Sequence, residues 1–224
     1  HLGGLNKLDI RSGHFTHYRM EGNNPQSLPS DIIRDITPYK DLLIIATQNG
    51  VCLFNPANGQ CRQLFKDSKE GKSIKMVADV VFDSEGTLWI AATGEGVFSY
   101  RFDTRKLTNY RHDAANPNSL SNNNVNNITQ DSKGNLWFST SGSGLDLYRP
   151  ETNDFENFDK GKNGLASDCI YETQESPTSG KLLLITNEGF SIFDYRNKDF
   201  NNYSAENGFP LTAVNENALC VTRD

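Results

Sequence analysis

The chain has 224 residues, a net charge of −6 from 22 Lys+Arg against 28 Asp+Glu, and a mean hydropathy of −0.60. The acidic surplus excludes the nucleic-acid backbone or anionic lipid as the main partner, since both demand a basic face. No run of about 18 apolar residues reads as a membrane-spanning helix, and no charged–apolar–small pattern opens the chain. The 25 Asn and 18 Gly point to many short elements joined by turns.

In chain order, residues 1–19 read as the end of a repeat. A glycine in His1-Leu2-Gly3-Gly4 is followed by a strand from Phe15 to Tyr18. Four full copies follow. The first, 27–65, runs through Ser27-Leu28, Ile33, Ile36, Leu42-Leu43, Thr47, Gly50, Phe54 and Phe65. The second, 73–110, has Ser73-Ile74, Val77, Val80, Asp83, Gly86, Leu88-Trp89, Thr93, Gly96, Tyr100 and Tyr110. The third, 119–158, matches it with Ser119-Leu120, Val125, Ile128, Asp131, Gly134, Leu136-Trp137, Thr140, Gly144, Tyr148 and Phe158. The fourth, 165–203, carries Leu165, Ile170, Leu182-Leu183, Thr186, Gly189, Phe193 and Tyr203. In 211–224, Ala218, Val221 and Asp224 align with Val125, Ile128 and Asp131, a first strand.

Two markers keep step. Gly50, Gly96, Gly144 and Gly189 are 46, 48 and 45 residues apart. The closing aromatics Tyr18, Phe65, Tyr110, Phe158 and Tyr203 are 47, 45, 48 and 45 apart. Within the second copy the pattern predicts strands at 77–82, 87–92, 97–102 and 107–110. Asp83 to Gly86 forms a turn in which the Asp side chain caps and Gly takes positive φ. A four-stranded antiparallel unit of this size cannot bury both faces alone, whereas radial stacking buries them. The fold expected is therefore an all-β β-propeller, with blades of about 46 residues. Four blades are complete and both end blades are partial, which is the pattern of a piece of a larger ring. Trp89 and Trp137 are expected in the core between blades.

The unit D-x-x-G-x-L-W-x-x-x-T-x-x-x-G, with its later aromatic, resembles the two-component regulator propeller repeat over Asp83 to Tyr110 and Asp131 to Phe158. The linker Tyr110-Arg111-His112-Asp113, Asn116-Pro117, Asn118-Ser119-Leu120 and its echo Tyr18-Arg19, Asn24-Pro25, Ser27-Leu28 share the resemblance. The outer copies depart: Leu43 and Leu183 stand in place of Trp, and Tyr39-Lys40-Asp41 replaces the D-x-x-G turn. The resemblance implies the periplasmic sensor region of an inner-membrane hybrid two-component histidine kinase. Many such proteins respond to carbohydrate breakdown products. The implied partners are a small molecule or oligosaccharide, the remaining blades and kinase of the same protein, and a second copy in a homodimer.

The blade-motif residues are Asp83, Gly86, Trp89, Gly96, Asp131, Gly134, Trp137 and Gly144. In a propeller the linkers between blades and the turns between second and third strands share one face. Here that face is polar, and Asn49, Glu95, Asn123, Ser141, Ser143, Asn187 and Glu188 are its candidate ligand contacts. No catalytic motif or phosphate loop is present, so the segment reads as non-catalytic and without cofactor or metal. His14 and His17 are three apart in a strand and point to opposite faces, a poor metal pair. Cys52, Cys61, Cys169 and Cys220 form no CxxC pair. Cys52 and Cys61 flank a turn and either pair across a hairpin or sit as small buried residues. The alternatives to a sensor are a glycan-active propeller enzyme and a protein-interaction platform without a small ligand.

Overall fold

The structure is a computed structural model, and it describes residues 3–208. The first-strand reading of 211–224, Cys220 and the residues His1 and Leu2 lie outside the described residues. A two-stranded sheet, β1 (Leu5–Leu8) and β2 (Phe15–Tyr18), comes first. Four four-stranded antiparallel meanders follow. They are β3 (Ile33–Tyr39) to β6 (Cys61–Gln63), β7 (Val77–Phe82) to β10 (Lys106–Tyr110), β11 (Val125–Gln130) to β14 (Asp154–Phe158), and β15 (Ile170–Glu175) to β18 (Asp199–Tyr203). These are blades of a β-propeller, and the strands of the second copy fall within one residue of the predicted ones. One short helix, α1 (Lys160–Asn163), interrupts a linker; Asp159 caps it and Gly164 ends it in the left-handed region.

The second strand of each blade is sandwiched. β8 (Leu88–Ala92) is buried at every position. Leu88, Ile90 and Ala92 pack with Ile44, Val51 and Val77 of the first seam, while Trp89 and Ala91 pack with Val125, Leu136 and Phe138 of the next. Both faces being apolar explains why these strands read as continuous hydrophobic runs. The third seam joins Trp137, Leu147 and Phe158 to Ile170, Leu184 and Phe193. Leu5 and Tyr18 of the two-stranded sheet pack on Ile45, Cys52 and Phe54. Each large side chain so buried contributes about 1.5–3 kcal/mol. Trp89 is 3% exposed and Trp137 fully buried.

The two sequence markers are in contact. A Cβ on Gly4, Gly96, Gly144 or Gly189 would lie 2.1–2.3 Å from the carbonyl oxygen of Tyr18, Tyr110, Phe158 or Tyr203. In each case the aromatic stands fourteen residues after the glycine. The first full blade differs. Leu64, not Phe65, occupies that place: its N–H donates to Val51 O at 2.8 Å, and Phe65 turns to φ 62°. Its first turn differs too. Tyr39 pairs directly with Leu42, so Lys40-Asp41 is a two-residue hairpin with Lys40 at φ 55°.

The first strands line the inner edge, where ladder N–H groups lack partners. Each first strand carries a register shift, between Ile33/Asp35, Val77/Asp79, Val125/Asn127 and Ile170/Glu172. The residue after the shift staples the next blade. Asp35 Oδ2 accepts from Val80 N (3.4 Å), Asp79 Oδ2 from Ile128 N (2.7 Å), and Asn127 Oδ1 from Thr173 N (3.0 Å). Blade-to-blade geometry is thereby set at the axis.

Candidate functional site

The linkers fold by the same local hydrogen bonds. In Arg111 to Asn124, Asp113 N donates to Ser119 Oγ (2.9 Å), Ser119 Oγ donates back to Asp113 O (3.1 Å), and Ser119 N donates to Asn116 O (3.0 Å). Glu21, Asn24 and Ser27 repeat this knot at 2.9, 3.2 and 3.1 Å. Leu28 and Leu120 anchor the two knots in the core at 2% and 0% exposure. The Asn-Pro-x-Ser-Leu motif is therefore a loop-building device, in which Asn and Ser satisfy the backbone.

Beneath the second of these linkers lies a depression of about 360 Å³, walled by His112, Ser119, Ser121, Gly142, Ser143, Asn157, Asp159, Lys162 and Asp168. Its floor is a polar network around Asp146, a fully buried carboxylate. Asp146 Oδ2 accepts from Ser121 N (3.0 Å) and Ser121 Oγ (2.8 Å), and Oδ1 accepts from Asn157 Nδ2 (3.1 Å). Burial pushes the Asp146 carboxyl up to about 6, against the opposing hydrogen bonds from Ser121 and Asn157 and the nearby His112. Asn157 Nδ2 also donates to Ser143 O (2.7 Å), and Asn122 Nδ2 to Ser143 Oγ (3.2 Å). On the rim, Asp168 Oδ1 accepts from Lys160 N (2.6 Å), and Lys162 Nζ pairs with Asp159 Oδ2 at 2.8 Å. Hydroxyls, an imidazole, an ammonium and three aspartates, Asp113, Asp159 and Asp168, thus line one hollow. Such a set has the donors and acceptors to hydrogen-bond a polar ligand.

Of the seven contacts expected from sequence, Ser143 lines this depression. Asn123 Oδ1 accepts from His112 N at 2.8 Å beside it. Glu95 is ion-paired with Arg111, and Glu188 with Lys160 Nζ at 2.9 Å. Ser141 Oγ donates to Asn126 Oδ1 at 2.7 Å, Asn187 Oδ1 accepts from Ser167 Oγ, and Asn49 Nδ2 donates to Pro29 O at 3.3 Å. These residues share the upper face without converging. Asn157, Asp168 and Asp146 escaped the sequence reading. Asp146 had a signal: it stands two residues after Gly144, where Cys52 and Phe98 follow Gly50 and Gly96. A carboxylate at a core position demands a local network.

A larger cavity of about 660 Å³ opens at the opposite end of the second and third blades, between Asp83, Glu85, Arg101, Tyr110, Tyr148, Arg149 and Asn153. Tyr110 and Tyr148 both donate to Asn153 Oδ1 at 2.9 Å within it. Among the described residues no cluster of three or more His, Cys, Asp or Glu is arranged to hold a metal ion.

Fold and site together define a propeller segment with a polar upper depression. Residues 119–142 match the family model described as Two component regulator propeller. No curated protein matches the chain. A similar solved structure is the extracellular domain of BT3049 from B. thetaiotaomicron, provisionally assigned as a hybrid two component system. It is 22% identical with a TM-score of 0.74, over 90% of this chain and 26% of that one. PorZ, a surface component of the type-IX secretion system of Porphyromonas gingivalis, is 16% identical with a TM-score of 0.64, over 85% of this chain and 29% of PorZ. These likenesses show the fold. The chain spans about a quarter of the length of the BT3049 domain it matches.

Proposed function

We propose that this chain is a ligand-sensing propeller segment of a periplasmic sensor in a hybrid two-component system. It binds a carbohydrate or oligosaccharide in the upper depression and performs no chemistry. Binding is passed through blade packing or dimer geometry to a kinase outside this chain. The observation that carries the reading is the placement of the matched repeat: Ser119, Ser121 and Gly142, all within 119–142, wall the depression. Its volume of about 360 Å³ is in the range of small-molecule sites. Ser143 is the turn residue proposed to touch the ligand, and the other turn residues extend the polar rim. For signalling, the ligand must prefer one blade arrangement over another.

Calorimetric titration of an oligosaccharide panel into the chain and into the whole sensor tests this. A binding sugar should lose at least tenfold in affinity on Lys162→Ala or Asp168→Asn, and keep its affinity on Glu188→Ala. Binding that ignores both Lys162→Ala and Asp168→Asn removes the depression as the site. Turnover of a panel member would replace the sensor reading by an enzyme.

A further inference from the structure

Cys52 and Cys61 face each other across the hairpin of β5 (Gly50–Phe54) and β6. Cys52 pairs with Gln63 and Cys61 with Phe54, so the two cysteines are diagonal neighbours on one face of the sheet. Their Sγ atoms are 3.1 Å apart as free thiols, about 1 Å more than a disulfide bond. Both are buried, in the core formed with Leu28, Ile45 and Phe54. The hairpin turn holds the strands in place: Asn55 N donates to Gln60 O and Gly59 N to Asn55 O, each at 2.8 Å.

We propose that Cys52 and Cys61 are a redox-responsive pair that closes into a cross-strand disulfide when the folded protein meets a disulfide oxidant. Three further observations support it. Cys61, 4% exposed, lines an open cavity of about 460 Å³ between Gln26, Leu42, Gln60, Gln63 and Lys66, the route by which an oxidant reaches it. The hydrogen bond from Cys52 holds the Cys61 thiol below its usual range, whereas that bond and burial push Cys52 up. Cys61 is accordingly the first nucleophile. Finally, β6 has three residues where β10, β14 and β18 have five each, so a bond to β5 would pin the shortest outer strand.

The chemistry balances with oxidised glutathione. The Cys61 thiolate attacks one sulfur and expels a glutathione thiolate, leaving a mixed disulfide. Cys52 then gives up its proton and attacks Cys61 Sγ, expelling the second glutathione. Two cysteine thiols are oxidised, one glutathione disulfide becomes two thiols, and both protons end on the leaving groups. The pairing holds whether or not the chain is a sensor.

The test incubates the folded protein with oxidised glutathione, denatures it, alkylates it with N-ethylmaleimide and maps the peptides by mass. The chain has four Cys, so the alkylated count should fall from four to two, with the 52 and 61 peptides linked. Cys52→Ser should trap glutathione on Cys61, while Cys61→Ser should leave Cys52 unreacted. Four alkylated cysteines after equilibration, or a bond that joins Cys169 or Cys220, would overturn the proposal. The wild-type map decides the matter even where a variant misfolds.

Discussion

Trp89 donates its indole N–H to Asp83 Oδ2 at 2.8 Å, six residues back along the chain. The other oxygen of Asp83 accepts from Glu85 N (3.0 Å) and Thr87 N (2.8 Å) and so builds the turn. Asp131 and Trp137 repeat the arrangement at 3.0 Å, with Lys133 N and Asn135 N on the second oxygen. One carboxylate therefore couples a surface turn to the tryptophan that fills the seam between blades.

Removing that carboxylate should be costly. Asp131→Ala leaves the N–H of the fully buried Trp137 without its acceptor and frees the turn. The expected loss is about 1–3 kcal/mol. Trp89 and Trp137 are the two tryptophans of the chain, so urea unfolding followed by fluorescence reports it directly. An unchanged midpoint would show that the turn is held otherwise.

The glycine that meets the closing aromatic should tolerate no side chain. Gly144 sits at φ 82°, and a Cβ there would be 2.1 Å from Phe158 O. Gly86 has φ 79° with open space around it. Gly86→Ala should cost about 1–2 kcal/mol, the left-handed penalty alone. Gly144→Ala must also displace backbone, so it should lower the thermal midpoint well beyond Gly86→Ala. Equal midpoints would contradict the contact.

Acidity of the inner edge predicts an unusual pH profile. Burial, then the charge of Asp35, pushes Asp79 up to about 7, and Asp35 itself is raised by burial. The groups facing Asp79 are Asp35, the Asn127 amide and the backbone N–H of Ile128 and Val80. Folded Asp79 holds its proton to higher pH than an unfolded aspartate. The folded state thus binds more protons between about pH 4 and 7, and stability falls as pH rises through that window. The expected decline is a few kcal/mol, at about 1.4 kcal/mol for each tenfold difference in proton affinity between the folded and unfolded carboxyl. Asp79→Asn should make the decline shallower in urea midpoints taken from pH 4.5 to 8, with the raised carboxyl of Asp146 supplying part of what remains. A slope equal to wild type would assign the effect elsewhere.

Buried and exposed acids of the upper face should separate cleanly. Asp146→Ala strips partners from Ser121 and Asn157 in a dry site and should cost about 1–3 kcal/mol. Glu95→Ala removes an ion pair whose side chains are 37% and 46% exposed, and should change stability by less than about 1 kcal/mol. Parallel denaturant titrations compare them, and a Glu95 effect as large as that of Asp146 would mean the rim, not the floor, holds the face together.

Blades, strands and two of the four first turns were legible in the residues because their causes are local. Alternating apolar positions, an Asp capping its own turn and a glycine at positive φ all act within a few residues. Phe65 misled for the same reason: aromaticity marked it, but register put Leu64 in the closing position. Composition is silent on where the polar linker side chains spend their hydrogen bonds. Most of those in Asp113 to Ser119 are spent on their own loop.

The 224 residues and their period of about 46 thus carried the architecture from the start. Repetition is written along the chain, and each unit solves the same burial problem. Which polar groups remain to meet a ligand was decided in three dimensions. The staples from Asp79 to Ile128 and from Asn127 to Thr173 span 49 and 46 residues, and the bond from Ser121 to Asp146 spans 25. The two staples form only once blades stack, because stacking brings one repeat's side chain to the next repeat's backbone, whereas the Ser121 bond closes within the third repeat when its linker folds back on its own blade.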